Sequence, residues 1–265
     1  ALDDTYLEAM LNAAEVYIHP LGEYDEAIRM CDLSLELAET DDEVVDALLL
    51  KFDALLGKNE LDEARVLCSR FPKGPFENPN HSFLVGRALY EVGSIEEAAP
   101  LIEDAAKSNP RNTEAYYYLG LVRDDRGDTP GATEAFLRSR ELDIELPAPA
   151  WALSRETFEA NVRQVIESLD EALRKHVRQN EIYVSDVPGV EVVVDGVDPR
   201  ALLMLDGVGP IGPDGLAAAR VFVYQRNVER VAGAIDLVET EIKVALEREI
   251  RQTFIEIETE GQVLN

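Results

Sequence analysis

Few side chains in this 265-residue sequence have the types and spacing for chemistry. There are three histidines, His19, His81 and His176, and two cysteines, Cys31 and Cys68. No histidine has a partner at the short spacing that puts two metal ligands on one helical face. Neither cysteine has an adjacent base to strip its proton. No G-x-S-x-G run is present. The glycine-rich "GVGPIGPDG" (207–215) lacks the G-K-[ST] ending of a phosphate loop. What remains is the closing stretch "VALEREIRQTFIEIE" (244–258), where Glu247, Glu249, Glu256 and Glu258 offer oxygens to a hard cation if they converge. On an ordinary acidic helix they are solvated charges.

The whole chain is acidic, with 53 Asp and Glu against 25 Lys and Arg, a net charge of −28. Such a molecule repels polyanions, so DNA, RNA and anionic lipid are poor partners, and a basic peptide or protein face is the complement. No run of about eighteen apolar residues exists to span a bilayer. The start, "ALDDTYLEAM", lacks the basic region of a secretory signal. Two cysteines make no disulfide framework, so a reducing cytoplasm is the expected compartment. No cofactor and no resident metal are expected.

The elements that must position any site begin with a repeat. "PNHSFLVGRALYEVGSIEEAAPLIEDAAKSNP" (79–110) aligns with "NTEAYYYLGLVRDDRGDTPGATEAFLRSRELD" (112–143). Gly86 and Gly120, Gly93 and Gly127, and Ala98 and Ala132 are each 34 residues apart. Another step of 34 reaches Ala64, and one of 37 reaches Ala27, the surplus falling in "ETDDE". Each unit reads as two antiparallel helices. Small residues stand where the helices approach, large ones such as Tyr116, Leu119, Phe136 and Ile102 fill between, and Gly22, Gly93 and Gly127 mark turns. Cys31 and Cys68 occupy one repeat position and read as small buried fillers. Repeat two departs from the pattern, with Lys51-Phe52 where Leu-Gly is expected.

A period of 34 with this content resembles the tetratricopeptide repeat (TPR), in four copies. The resemblance implies an α-helical TPR solenoid over 1–146, with a concave face built from the first helix of each repeat. On that face repeats three and four would carry Phe83, Arg87, Tyr90, Tyr117, Tyr118, Leu121, Asp124 and Asp125. Tyr116 is expected in the core. Aromatic residues among charges suit a peptide or protein partner. The Asn and Lys with which one TPR subfamily clamps a terminal carboxylate are not matched.

"ELPAPA" (145–150) breaks the repeat and marks a boundary. Ser154 then caps an amphipathic helix over 154–176 with Phe158, Val162, Ile166, Leu169 and Leu173 on one face. "IYV" (182–184), "VEVVVD" (190–195) and "RVFVYQ" (220–225) read as strands, "DGVGPIGPDG" (206–215) as a loop, and "AIDLVETEIKVALEREIRQTFIEIE" as one long helix. In "SRETFEANVRQVIESLDEAL", "VFVYQRNVERVAG" and "VETEIKVALEREIRQTF" the half from 150 to 265 resembles a small bacterial zincin-like metallopeptidase family of α+β fold. Counting from Arg226-Asn227, the family's H-E-x-x-H falls on Arg248, Glu249 and Gln252, its glycine on Ile255, and its later acidic ligand on Glu258. A zinc site needs two imidazoles, with the Glu to deprotonate the bound water. Arg248 has no lone pair and is permanently positive. Without the glycine the helix continues, which places Glu258 about 15 Å from position 248 along the axis.

The sequence therefore points to a non-catalytic interaction or regulatory protein: a TPR groove that docks a protein or peptide, and a pseudo-metallopeptidase half that binds without cleaving. The alternative is an active metallopeptidase whose carboxylate site gathers "EIETE" with Glu247 and Glu249. A third reading makes the C-terminal half a cap on the solenoid.

Overall fold

The computed structural model describes residues 4–211 and 216–256. The chain divides into two compact units, Ala1–Ser139 and Arg140–Asn265. The division falls within a helix, upstream of "ELPAPA".

The first unit is built from helix pairs: α1 (Asp4–Val16) with α2 (Tyr24–Leu37), α3 (Asp41–Gly57) with α4 (Leu61–Cys68), α5 (His81–Glu91) with α6 (Ile95–Ser108), and α7 (Thr113–Asp125) with α8 (Thr129–Glu145). The acidic surplus "ETDDE" has a local purpose. Thr40 accepts from the Glu43 N–H and the Glu43 carboxylate accepts from the Thr40 N–H, a reciprocal cap at the start of α3. Gly93 and Gly127 end α5 and α7 at φ of 82° and 77°, a left-handed conformation cheap only for glycine.

Helix spacing in the α5–α6 and α7–α8 pairs is set by an exchange of volume. A Cβ on Gly86 would stand 2.8 Å from Ile102, and one on Gly120 would stand 2.3 Å from the Phe136 ring. The same step back along the chain reaches Phe52 and Cys68, both buried in one core. The irregularity of repeat two is thus a swap: the large side chain moves to the first helix and the small one to the second. Burial pushes the Cys31 thiol up to about 12, with Asp32 adding to it. Burial likewise pushes Cys68 up to about 11. Both are packing groups with no thiolate character at neutral pH.

The second unit combines helices with a three-stranded sheet of order β1-β3-β2. α9 (Arg155–Ser168) and α10 (Glu171–Arg174) precede β1 (Val177–Ser185). α11 (Val190–Val194), β2 (Leu203–Ile211), β3 (Leu216–Tyr224), α12 (Gln225–Ala232) and α13 (Val238–Ile250) follow. β3 runs parallel to β1 and antiparallel to β2. Phe158, Val162 and Ile166 of α9, Val221 and Val223 of β3, and Ile242, Leu246 and Ile250 of α13 share one buried core.

Four sequence expectations change here. "VEVVVD" is helical, with Val193 N–H bonded to Gly189 O at 3.1 Å and Asp195 N–H to Glu191 O at 3.0 Å, so local bonds override the β-branched run. Most of "DGVGPIGPDG" is strand: Asp206 pairs with Arg220 and Ile211 with Leu216. A bulge between Asp206 and Gly209 is accommodated by Gly207 at φ 64°. Pro210 is tolerated because β2 is an edge strand; residues 212–215 lie outside the described residues. The helix expected over 154–176 breaks where Leu169 turns extended at ψ 149°. The long terminal helix is preceded by α12, ended by Gly233 at φ 66°, and α13 gives way to a π-type turn at Arg251–Glu256.

If the glycine exchange sets the helix spacing, Gly120→Ala should cost about 1–3 kcal/mol. Thermal denaturation checks this, and Phe136→Leu in the Gly120→Ala background should recover part of the loss.

Candidate functional site

Asp53 on α3, Arg87, Tyr90 and Glu91 on α5, and Tyr118 and Asp125 on α7 line up on one face of the first unit. Two bonds join α5 to α7 reciprocally. The Tyr90 hydroxyl donates to Asp125 at 2.7 Å, and the Tyr118 hydroxyl donates to Glu91 at 2.8 Å. The rings of Tyr90 and Tyr118 meet edge to face at 5.7 Å and 89°, and Tyr118 meets Phe83 at 5.7 Å and 72°. Burial pushes both phenols up, and the neighbouring carboxylates add to it, so each hydroxyl stays a neutral donor.

Arg87 stands between Asp53 and Glu91, with its closest contacts at 3.7 Å and 3.6 Å. Its Nε is enclosed without a hydrogen-bond acceptor. Burial pushes the Asp53 carboxyl above its ordinary value; Arg87 opposes this and Glu91 adds to it. One guanidinium therefore does not balance the carboxylates around it. Asp124 and Asp125 extend the negative surface and are exposed.

The structure brings Arg87, Tyr90 and Tyr118 together and leaves Leu121 half-buried on the same helix as Tyr118. Tyr117 is half-buried, with its ring 5.9 Å from that of Phe136 on α8 and 5.9 Å from that of Tyr118. Phe83 is a correction: at 7 % exposure it belongs to the core, because Tyr118 covers it. Tyr116 is half-buried, with the Arg138 guanidinium 6.0 Å from its ring centre. Asp53 and Glu91 were missed by sequence reasoning. The repeat itself points to them: the 34-residue step that links the glycines runs back from Asp125 to Glu91 and from Arg87 to Asp53.

The degenerate metal positions lie at the end of the second unit. Arg248 and Gln252 are exposed and Glu249 is half-buried. The side chains of Ile255 and Glu256, and the whole of Glu258, lie outside the described residues. Among the described residues no group of three His, Cys, Asp or Glu side chains converges on a point. His19 is exposed. His81 is buried and clamped on α3, its Nε2 at 2.9 Å from Asp46 and its Nδ1 at 3.2 Å from Asp42. His176 is buried and stacks on Phe254 at 4.6 Å. No described helix is long and apolar enough to cross a membrane.

Residues 84–147 match the family model for the tetratricopeptide repeat. The two helix pairs within that span are tetratricopeptide repeats. Among solved structures, the chain is similar to the MamA fragment 41-end from Desulfovibrio magneticus RS-1, at 23 % identity and a TM-score of 0.44, over 55 % of this chain and 80 % of that one. It is also similar to YrrB, described as a TPR protein with an unusual peptide-binding site, at 22 % identity and a TM-score of 0.42, over 51 % of this chain and 67 % of that one. No curated protein matches the chain.

The raised Asp53 has a definite sign in stability. Its folded form holds the proton more tightly than the unfolded chain does, so stability falls as pH rises from the ordinary carboxylate value through the raised one. Asp53→Asn should accordingly raise the melting temperature at neutral pH. The gain should fade below the ordinary carboxylate range, which a melting series against pH would reveal. Tyr118→Phe removes one interhelical bond and should cost about 0.5–1.5 kcal/mol in denaturant unfolding.

Proposed function

We propose that this chain is a non-catalytic docking protein whose α3–α5–α7 face takes a basic segment of a protein or peptide partner. The observation that carries the reading is the charge imbalance on that face. Arg87 meets Asp53 and Glu91 only at 3.7 and 3.6 Å, while Asp125 is held by the neutral Tyr90 hydroxyl beside the exposed Asp124. A partner's lysine or arginine supplies the missing charge, and the exposed edges of Tyr90 and Tyr118 supply contact area at low entropic cost.

For the second unit we propose a zincin-like domain that has lost its metal site and binds without cutting. Its support is the donor set. The two positions that should present imidazoles are Arg248 and Gln252, and a cation beside Glu247 and Glu249 would share the same helical turn with the Arg248 charge. The carboxylate-site peptidase is disfavoured for that reason. A cytoplasmic setting agrees with two buried free thiols.

Fluorescence anisotropy with a labelled peptide of Lys-Leu-Gly repeats tests the docking face. The wild-type protein should bind it, Asp124→Asn with Asp125→Asn should weaken it several-fold, and the peptide with Glu in place of Lys should not bind. Equal binding of the two peptides overturns the reading. Stoichiometric zinc in the purified protein, together with peptide hydrolysis abolished by Glu249→Ala, overturns the pseudo-peptidase.

A further inference from the structure

The second unit contains a half-open cavity of about 330 Å³, whose walls all come from residues 143–233. That size lies at the small end of ligand pockets. The segment read from sequence as a mere boundary forms one side of it. Leu146, Pro149, Trp151 and Val187 make the apolar wall, and Arg226 and Glu229 face them from α12. Asp143 and Arg230 also line it but satisfy each other at 2.9 Å.

Glu229 is the unusual member. It is 2 % exposed, yet its hydrogen bonds all fall on one oxygen: Oε1 accepts from the Leu153 N–H at 3.0 Å and from Gln225 Nε2 at 2.9 Å. Oε2 has no donor among the described residues. Nor is it among the fully enclosed unsatisfied atoms of the described residues, such as Arg87 Nε. It therefore touches accessible space, and the cavity that Glu229 lines is where that space lies. A buried carboxylate with one oxygen left open costs free energy unless a donor, best a cationic one, reaches it. Arg226 is the converse. Its Nη1 is held by the carbonyls of Ile144 at 2.9 Å and Leu146 at 3.0 Å, and its nearest carboxylate, on Asp186, is 3.9 Å away. The guanidinium is fixed in place by neutral groups and keeps Nη2 for an anion.

We propose that this cavity binds a compact zwitterion of the amino-acid type with an apolar side chain. Its ammonium meets Glu229 Oε2, its carboxylate meets Arg226, and its side chain lies against Trp151 and Leu146. The site is separate from the docking face and stands whether or not that face binds a basic segment.

Trp151 is the only tryptophan in the chain, so its emission reports the cavity without interference. Titration of the full chain with leucine should give a saturable change. Glycine lacks the apolar body, N-acetyl-leucine lacks the ammonium and leucine amide lacks the carboxylate, and each should bind at least about tenfold more weakly. Glu229→Gln keeps an oxygen for the Leu153 N–H and should lower leucine affinity by a similar factor. The ligand series on wild-type protein stands even if that variant misfolds. No response to leucine, or an equal response to N-acetyl-leucine, overturns the proposal.

Discussion

The first unit depends on how closely its paired helices can approach. Gly86 against Ile102 and Gly120 against Phe136 remove a side chain where the next one needs room. At the corresponding positions of the repeat before, Phe52 and Cys68 carry the sizes in exchanged order and are both buried in the same core. Close-packed interiors tolerate such swaps because total volume is conserved. Once the second helices are seated at this depth, the first helices form a continuous surface, and α5 and α7 come near enough for Tyr90 to donate to Asp125 and Tyr118 to Glu91.

That crossed pair of bonds decides the electrical character of the face. A tyrosine orients a carboxylate without cancelling its charge. Glu91 and Asp125 are thus held in fixed positions with most of their negative potential intact, while Arg87 sits at loose distances from Asp53 and Glu91. The arrangement is rigid, acidic and lined with aromatic edges. Such a surface discriminates by charge and offers its contact area without first having to order itself.

The repeats were legible in the sequence because a solenoid imposes the same packing at every turn, so a fixed step of 34 finds Gly86, Gly120, Ala98 and Ala132. The same regularity would have found Asp53 and Glu91. Phe83 shows where it stops: the repeat gives its register on the helix, but its burial depends on Tyr118, a neighbour from the next repeat. In the second unit no repeat helps. "VEVVVD" has strand composition, yet the bonds from Val193 and Asp195 back toward Gly189 and Glu191 make it a helical turn. "DGVGPI" (206–211) has loop composition, yet the edge of a sheet accepts Pro210 and a bulge forms at Gly207. Glu229 was invisible as a cavity group because its environment is made by Leu153 and Gln225, brought together only by folding.

As proposed, the acidic face of α5 and α7 takes a basic partner. Amide hydrogen exchange of the full chain, with and without the Lys-Leu-Gly peptide, tests it most directly. Added protection should concentrate in 81–91 and 113–125 and be lost when Glu91→Gln is combined with Asp124→Asn. Protection confined to the second unit, or spread evenly over the acidic surface, would contradict it.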